Sequence, residues 1–393
     1  MNANRFGKGS YLSYVTTFFF YYFCMSVYSS VLSVYLTGIG KTASEMSFIV
    51  SGANLFSLIT VPLTGFLNDV VRRPKVISCT AILLAGTLSI VFAFSRAVFI
   101  LFLLNGLIMT AINCVMPVTE KLAASCPYRY GAIRIWGTFG YAVAAQAATL
   151  ILANTSSVWL FLSIFAASLI AVVGFMRTAD PGDSQREQET PDSALEKRKG
   201  LKKIILNPVF LLFIAIAFVF NGTSSVNMTY APLLLQELGI SVSAVGTIIF
   251  FSTLVEIPLI FFSHKFMDRF NVKTFLLAAF ILMLTQLLIY SSVKHAAVIV
   301  ITMVLLRAIT TTLFMMVVLK AVRNIISPLY TTTGLSIVNS VNSLGAIIMQ
   351  NTAGMIADSR GISFLYLVLT VLVGIGLVLT IFIKVENKEK VFR

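Results

Sequence analysis

Residues 11–37 read YLSYVTTFFFYYFCMSVYSSVLSVYLT, without one charged residue, glycine or proline. A helix needs about 20 consecutive apolar residues to cross a bilayer. A strand of a membrane barrel would instead alternate apolar and polar positions over about 10 residues. This run is continuous and does not alternate, so it reads as a helix in lipid, where backbone polar groups must be satisfied within the chain. It is too long for a signal-peptide core and lacks a convincing cleavage site, so it is expected to be retained as a first span.

The rest of the chain agrees. Of its 393 residues 58% are hydrophobic, 12% aromatic and only 11% charged, against about 25% charged in a soluble domain. Mean hydropathy is +0.93. These values exclude an ordinary cytosolic protein, a disordered chain and a disulfide scaffold. The four cysteines, Cys24, Cys79, Cys114 and Cys126, lie within or beside apolar runs, so no disulfide framework is expected. A net charge of +14 would suit a nucleic-acid binder, but the Lys and Arg sit in short loops between apolar runs, the pattern of the positive-inside rule. No nucleic-acid partner is expected; the bilayer is.

Twelve spans follow, roughly 11–37, 44–66, 75–95, 98–118, 133–153, 157–177, 207–235, 242–263, 274–293, 296–320, 331–357 and 362–384. With both termini cytoplasmic, all but five of the 29 basic residues fall on the cytoplasmic side; Lys41, Arg96, Lys294 and Arg360 face out and Arg307 lies in a span. The expected fold is an all-α polytopic membrane protein with residues 1–177 and 207–393 as two six-helix bundles. Residues 178–206, rich in Asp, Glu, Lys and Arg, form a cytoplasmic linker between them. Two echoes support a duplicated unit. Asp69 after span two and Asp268 after span eight stand 199 residues apart, and Cys126-Pro127 echoes Ser327-Pro328. Paired membrane repeats with a site at their interface are the architecture of secondary transporters.

The loop Gly65-Phe66-Leu67-Asn68-Asp69-Val70-Val71-Arg72-Arg73-Pro74-Lys75 resembles the signature of the major facilitator superfamily, with Arg72 where a second glycine is usual. Tyr130-Gly131-Ala132-Ile133-Arg134-Ile135-Trp136-Gly137-Thr138-Phe139-Gly140 resembles the start of span five in the superfamily's lactose-permease-type and phenylpropionate-type proton symporters. The aromatic run Phe18–Phe23 has counterparts there, and Gly354–Asp358 gives a thinner match in the second half. The resemblance implies alternating access, a cell (inner) membrane setting, and a gate latched by Gly65, Asp69 and Arg73.

An ionisable residue within a span costs about 2.5–3.5 kcal/mol on insertion scales and calls for a reason. Glu256, two residues before Pro258 in span eight, and Arg307 in span ten are the two well inside. They form either a neutralising structural pair or a proton-exchanging carboxylate poised by a cation. The resemblance favours proton coupling through Glu256. Glu120, one helical face on from Asn113 and Pro117, and Arg134 match the family's sugar-binding pair; an interfacial salt bridge is the alternative. Tyr141 matches a residue that stacks on the sugar, and Trp136 precedes it on the same span. Spans seven and eleven offer Asn227 and Asn342 to a cavity, whereas Asn221, Ser225, Asn339, Ser343 and Gln350 read as contacts between helices.

No phosphate-binding loop or catalytic constellation is present, and His264 and His295 lack metal-ligand spacing to the cysteines. An enzyme, a cofactor and a metal are therefore not expected. The span-five Gly-Pro signature of drug/proton antiporters is missing, which shifts weight from efflux to uptake. The expectation is a monomer that takes up a small polar solute (sugar, glycoside or nucleoside) with protons. An aromatic carboxylate symporter, an efflux transporter, and a non-transporting receptor or scaffold are the alternatives.

Overall fold

The computed structural model describes residues 7–71, 74–128, 130–179, 207–262, 266–267, 269–326 and 331–385. Among these residues the regular structure is helical, in twelve long helices. The first six are α1 (Tyr11–Gly38), α2 (Ala43–Val71), α3 (Pro74–Phe94), α4 (Val98–Ser125), α5 (Tyr130–Asn154) and α6 (Ser157–Arg177). The next six are α7 (Pro208–Glu237), α8 (Val242–Phe261), α9 (Val272–Ser292), α10 (Ala296–Ile325), α11 (Thr331–Arg360) and α12 (Ile362–Phe382). Among the described residues, ten helices are long and apolar enough, by length and composition alone, to cross a membrane. Helix α11 is the least apolar of the twelve because it carries Asn339, Asn342, Ser343, Gln350 and Asn351.

Local chemistry sets the helix ends. The Thr42 amide donates to the Glu45 carboxylate and the Glu45 amide to the Thr42 hydroxyl, a reciprocal cap that starts α2. Gly40 (φ 82°) and Gly239 (φ 80°) hold left-handed conformations that suit glycine, after α1 and α7. Around each the same bonds recur. The glycine amide reaches the carbonyl three residues back, and the next amide reaches the carbonyl five back (Lys41 to Leu36, Ile240 to Leu235, 3.0 and 3.1 Å). The two glycines share the 199-residue offset read from the aspartates.

A second element of the repeat joins distant helices. The Lys75 amine at the start of α3 donates to the carbonyl of Thr178, just past α6, at 2.6 Å. The Lys273 amine at the start of α9 does the same to Ile381 near the end of α12, also at 2.6 Å. A cation at a helix C-terminus meets carbonyls that have no intrahelical partner.

The chain divides into two compact units: Met1–Ser184 with Thr229–Ile257, and Gln185–Met228 with Pro258–Arg393. In the first, α1 lies against α5 and α6, and α4 against α2 and α3. Lipid supplies no hydrophobic drive between helices, so close packing and buried hydrogen bonds carry the association. Gly174 of α6 sits so near Thr17 that an added β-carbon would come within 2.7 Å of its hydroxyl. Asn105 of α4 donates to the Ile49 carbonyl of α2 at 2.7 Å and accepts from the Tyr28 hydroxyl of α1 at 2.9 Å. Residues Thr229–Ile257 join this unit through Tyr230, fully buried, whose Oη lies 2.6 Å from Ser47 Oγ and donates to the Ala43 carbonyl at 3.2 Å. In the second unit α9 lies against α10 and α12, with Phe220, Phe280 and Phe314 clustered ring on ring. The linker expected at 178–206 falls, from residue 180 on, outside the described residues.

Candidate functional site

Three side chains of the first unit form a closed triangle. Arg134 of α5 sets its Nε 3.0 Å from Oε1 of Glu120 on α4. The Tyr22 hydroxyl of α1 donates to the same oxygen at 3.1 Å, and the Arg134 guanidinium lies over the Tyr22 ring, 4.6 Å from its centroid. Arg134 Nη1 also reaches Thr138 Oγ1 at 3.4 Å. Gly137 makes the stacking possible, since a β-carbon there would come within 2.6 Å of the Tyr22 ring. The side chains of Arg134 and Glu120 are 24% and 31% exposed, enough to be met by a solute. A charge-assisted hydrogen bond contributes about 1.5–3 kcal/mol when buried, and partial exposure lowers this toward the roughly 1 kcal/mol of a solvated pair. The cation over the ring adds about 0.5–1 kcal/mol.

Two turns further along the same face of α5, about 10 Å away, Tyr141 places its Oη 3.4 Å from Ser29 Oγ of α1. The Ser26 hydroxyl holds the Tyr141 carbonyl at 2.7 Å. Asn113, on α4, reaches Ser57 of α2 at 3.5 Å. Glu120, Arg134 and Tyr141 thus line one column with Tyr22.

The second unit holds a cavity of about 250 Å³ among α7, α10 and α11. Its polar lining is Asn221, Ser224, Thr311, Asn339 and Asn342, and its apolar lining includes Phe220 and Phe314. Those two rings stack with centroids 3.7 Å apart at 8°. The Asn342 Oδ1 and the Thr310 Oγ1 are buried without a hydrogen-bond partner among the described residues. Helix α10 is not regular beside it: Met303–Arg307 is a π-helical segment that ends on Arg307. Such segments insert one residue into a helix and concentrate at functional sites.

A family model described as the MFS_1 like family matches residues 11–368. The chain belongs to that family. This transporter is 25% identical over 248 residues to the uncharacterized transporter YwbF of Bacillus subtilis, covering 62% of this chain and 60% of that one. It is 24% identical to a maltose permease of Geobacillus stearothermophilus over 70% of its own length and 69% of the permease. With the sucrose permease of Escherichia coli it shares 21% over 98% of its length and 96% of the relative's. Among solved structures, a nucleoside transporter superposes with a TM-score of 0.80 over 94% of this chain and 97% of that one. A D-xylose-proton symporter superposes at 0.71 over 96% and 98%. Each is 14% identical, a likeness of fold. The transporter is therefore a multi-pass membrane protein and not an enzyme, as its sequence led us to expect.

The remaining expected residues of the transporter separate into groups. Trp136 is set apart from the column, roughly opposite Arg134 and Tyr141 on α5. Its indole N–H donates to the Tyr11 hydroxyl at 2.9 Å, and its ring meets Phe139, which is 40% exposed. Asn227 does not line the cavity; it is buried and accepts from the Tyr366 hydroxyl of α12 at 3.1 Å. Asn342 does line it, joined by Asn221, Ser224 and Asn339, of which Asn221 and Asn339 read from sequence as helix contacts. Glu256 is partly exposed on α8, which continues through Pro258 to Phe261. Gly65 and Asp69 lie in the last turns of α2 with side chains outside the described set, and Arg73 is outside the described residues. Tyr22 was not singled out, although the run Phe18–Phe23 contains it. The signal for the cavity was the repeated spacing of three in Asn221–Ser224 and Asn339–Asn342, one helical face in each case.

Proposed function

We propose that this transporter takes up a small hydroxylated solute (a sugar, a glycoside or a nucleoside) by alternating access, driven by protons. The observation that carries the reading is the triangle of Glu120, Arg134 and Tyr22. It sets a carboxylate acceptor, a guanidinium with five donors and an aromatic face side by side, the set that grips adjacent hydroxyls of a ring. Tyr141 lies on the same column, and Asn113 stands two turns before Glu120 on α4. The names of the maltose and sucrose permeases, the nucleoside transporter and the xylose-proton symporter accord with it. In this reading residues 1–177 and 207–393 are the two bundles, with both termini cytoplasmic. Glu256 loads and releases the proton, and Arg307 is the second charged residue of the coupling. Gly65, Asp69 and Arg73 latch the cytoplasmic gate.

The test is proton flux into proteoliposomes on adding maltose, sucrose, xylose, uridine or 3-phenylpropionate, wild type beside Glu256→Gln. Solute-dependent alkalinisation outside, lost in the variant, is the expected result. Solute movement without protons, equal in both proteins, would refute coupling and leave a facilitator.

A further inference from the structure

We propose that Arg307, Tyr290 and Thr310 of the second unit form a binding site for one small monovalent inorganic anion of the class of chloride. The inference goes beyond the uptake reading and needs only the fold. Arg307 ends the π-helical segment of α10, and that segment lies against α9. The residue is partly buried. Among the described residues neither an ion pair nor a hydrogen bond engages its guanidinium. A charge within a span calls for a partner, and a buried charge left without one is strongly destabilising.

Two hydroxyls of the same unit are also short of an acceptor. Tyr290 of α9 is 1% exposed and lies within electrostatic reach of Arg307. Its oxygen accepts from the Gln286 side-chain amide at 3.1 Å, so the phenolic proton is left to donate. No acceptor meets that proton among the described residues. Thr310 stands three residues past Arg307, on one face of α10. It is 1% exposed, and its Oγ1 is buried without a hydrogen-bond partner. The neighbouring Thr311 instead donates to the Arg307 carbonyl at 3.0 Å, the usual use of a threonine within a helix.

A guanidinium and two hydroxyl protons without acceptors make a site that is all donor. Water could cover one such donor, but it would leave the charge of Arg307 uncompensated in the span. One cation calls for one negative charge, so a divalent sulfate or phosphate would bring an excess. None of the three residues lines the cavity of about 250 Å³, which places the ligand outside the space that a solute ring would fill. A bound halide supplies the counter-charge that the surrounding side chains do not.

The test is equilibrium binding of radioactive chloride to the purified full-length protein in an uncharged detergent, with sodium gluconate as the supporting salt and no solute present. Saturable binding of one chloride per chain is expected, displaced by bromide and indifferent to sulfate at equal ionic strength. Arg307→Gln is expected to abolish it. Tyr290→Phe and Thr310→Val are each expected to weaken it about tenfold, one hydrogen bond apiece. These two keep the shape of the side chain, so they carry the test if Arg307→Gln fails to fold. Absence of saturable binding in the wild type, binding unchanged by Arg307→Gln, or binding unchanged by both hydroxyl variants overturns the proposal. Displacement by 3-phenylpropionate as readily as by bromide overturns it too, since the guanidinium would then be a seat for an organic carboxylate. Binding is read without solute or gradient, so its absence leaves the uptake reading standing, and absence of uptake leaves the anion site standing.

Discussion

Replacing Tyr230 by Phe removes one oxygen and leaves the ring, so its consequence can be worked from the hydrogen bonds alone. The hydroxyl lies 2.6 Å from Ser47 Oγ and 3.2 Å from the Ala43 carbonyl, and both side chains are fully buried. Each buried bond contributes about 0.5–1.5 kcal/mol net, and an unmatched partner costs about 1–3 kcal/mol. Ser47 can turn its proton to the carbonyl four residues back in α2, which recovers part of the loss. The attachment of Thr229–Ile257 should therefore weaken by about 1–2 kcal/mol, a factor of roughly 5–30 in its opening equilibrium. Hydrogen exchange of the purified protein reads this directly, because local opening sets local protection. Peptides from the last turns of α7 and the first turn of α2 should exchange about 5–30 times faster, with α3 and α6 unchanged. Unaltered exchange in α7, or equal acceleration everywhere, would refute the assignment of this hydroxyl as a local fastener.

Gly137→Ala places a methyl against the Tyr22 ring and should cost about 1–3 kcal/mol as overpacking, seen as a lower melting temperature in detergent; an unchanged value would mean that α1 and α5 can part freely. Arg134→Lys keeps the charge but loses the planar fork and its stacking, so transport should fall at least about tenfold while the protein remains folded; full activity would show that charge alone suffices. Deleting one residue from Met303–Arg307 should restore a regular helix with both flanks in register, leaving expression intact and solute flux impaired; normal flux would make the π segment incidental. Trp136→Phe should change transport little, because its N–H is used on Tyr11 away from the column; a large loss would return Trp136 to the solute path.

The twelve helices were legible because apolar runs about 20 residues long have one stable form in lipid. Glu120 and Arg134 were legible as well, at the end of span four and the start of span five, because they match the family's charged pair, and they do meet at 3.0 Å. Neutral polar residues were harder. Asn227 and Asn342 look alike in sequence, yet one bonds Tyr366 and the other lines the cavity. The difference is which neighbour each helical face meets, and hydrophobic patterning carries little of that when all sides are apolar. Tyr22 was hidden among aromatic neighbours for the same reason. The π segment of α10 has no mark in residues 303–306, whose side chains are ordinary for a span, and Arg307 stands out as a charge without signalling the change of helix type. It follows from packing around the helix, which a linear reading does not contain.

The paired lysine clasps set a timetable for synthesis. Lys75 must wait for a carbonyl 103 residues downstream, and Lys273 for one 108 residues on. At about 5–20 residues per second, each amine spends about 5–20 seconds without its final partner. During that interval water and lipid headgroups can stand in for that carbonyl on the ammonium, which holds the start of α3, and later of α9, at the membrane surface. Each clasp closes only when the last helix of its own half has been made, so the chain is fastened twice, once per half.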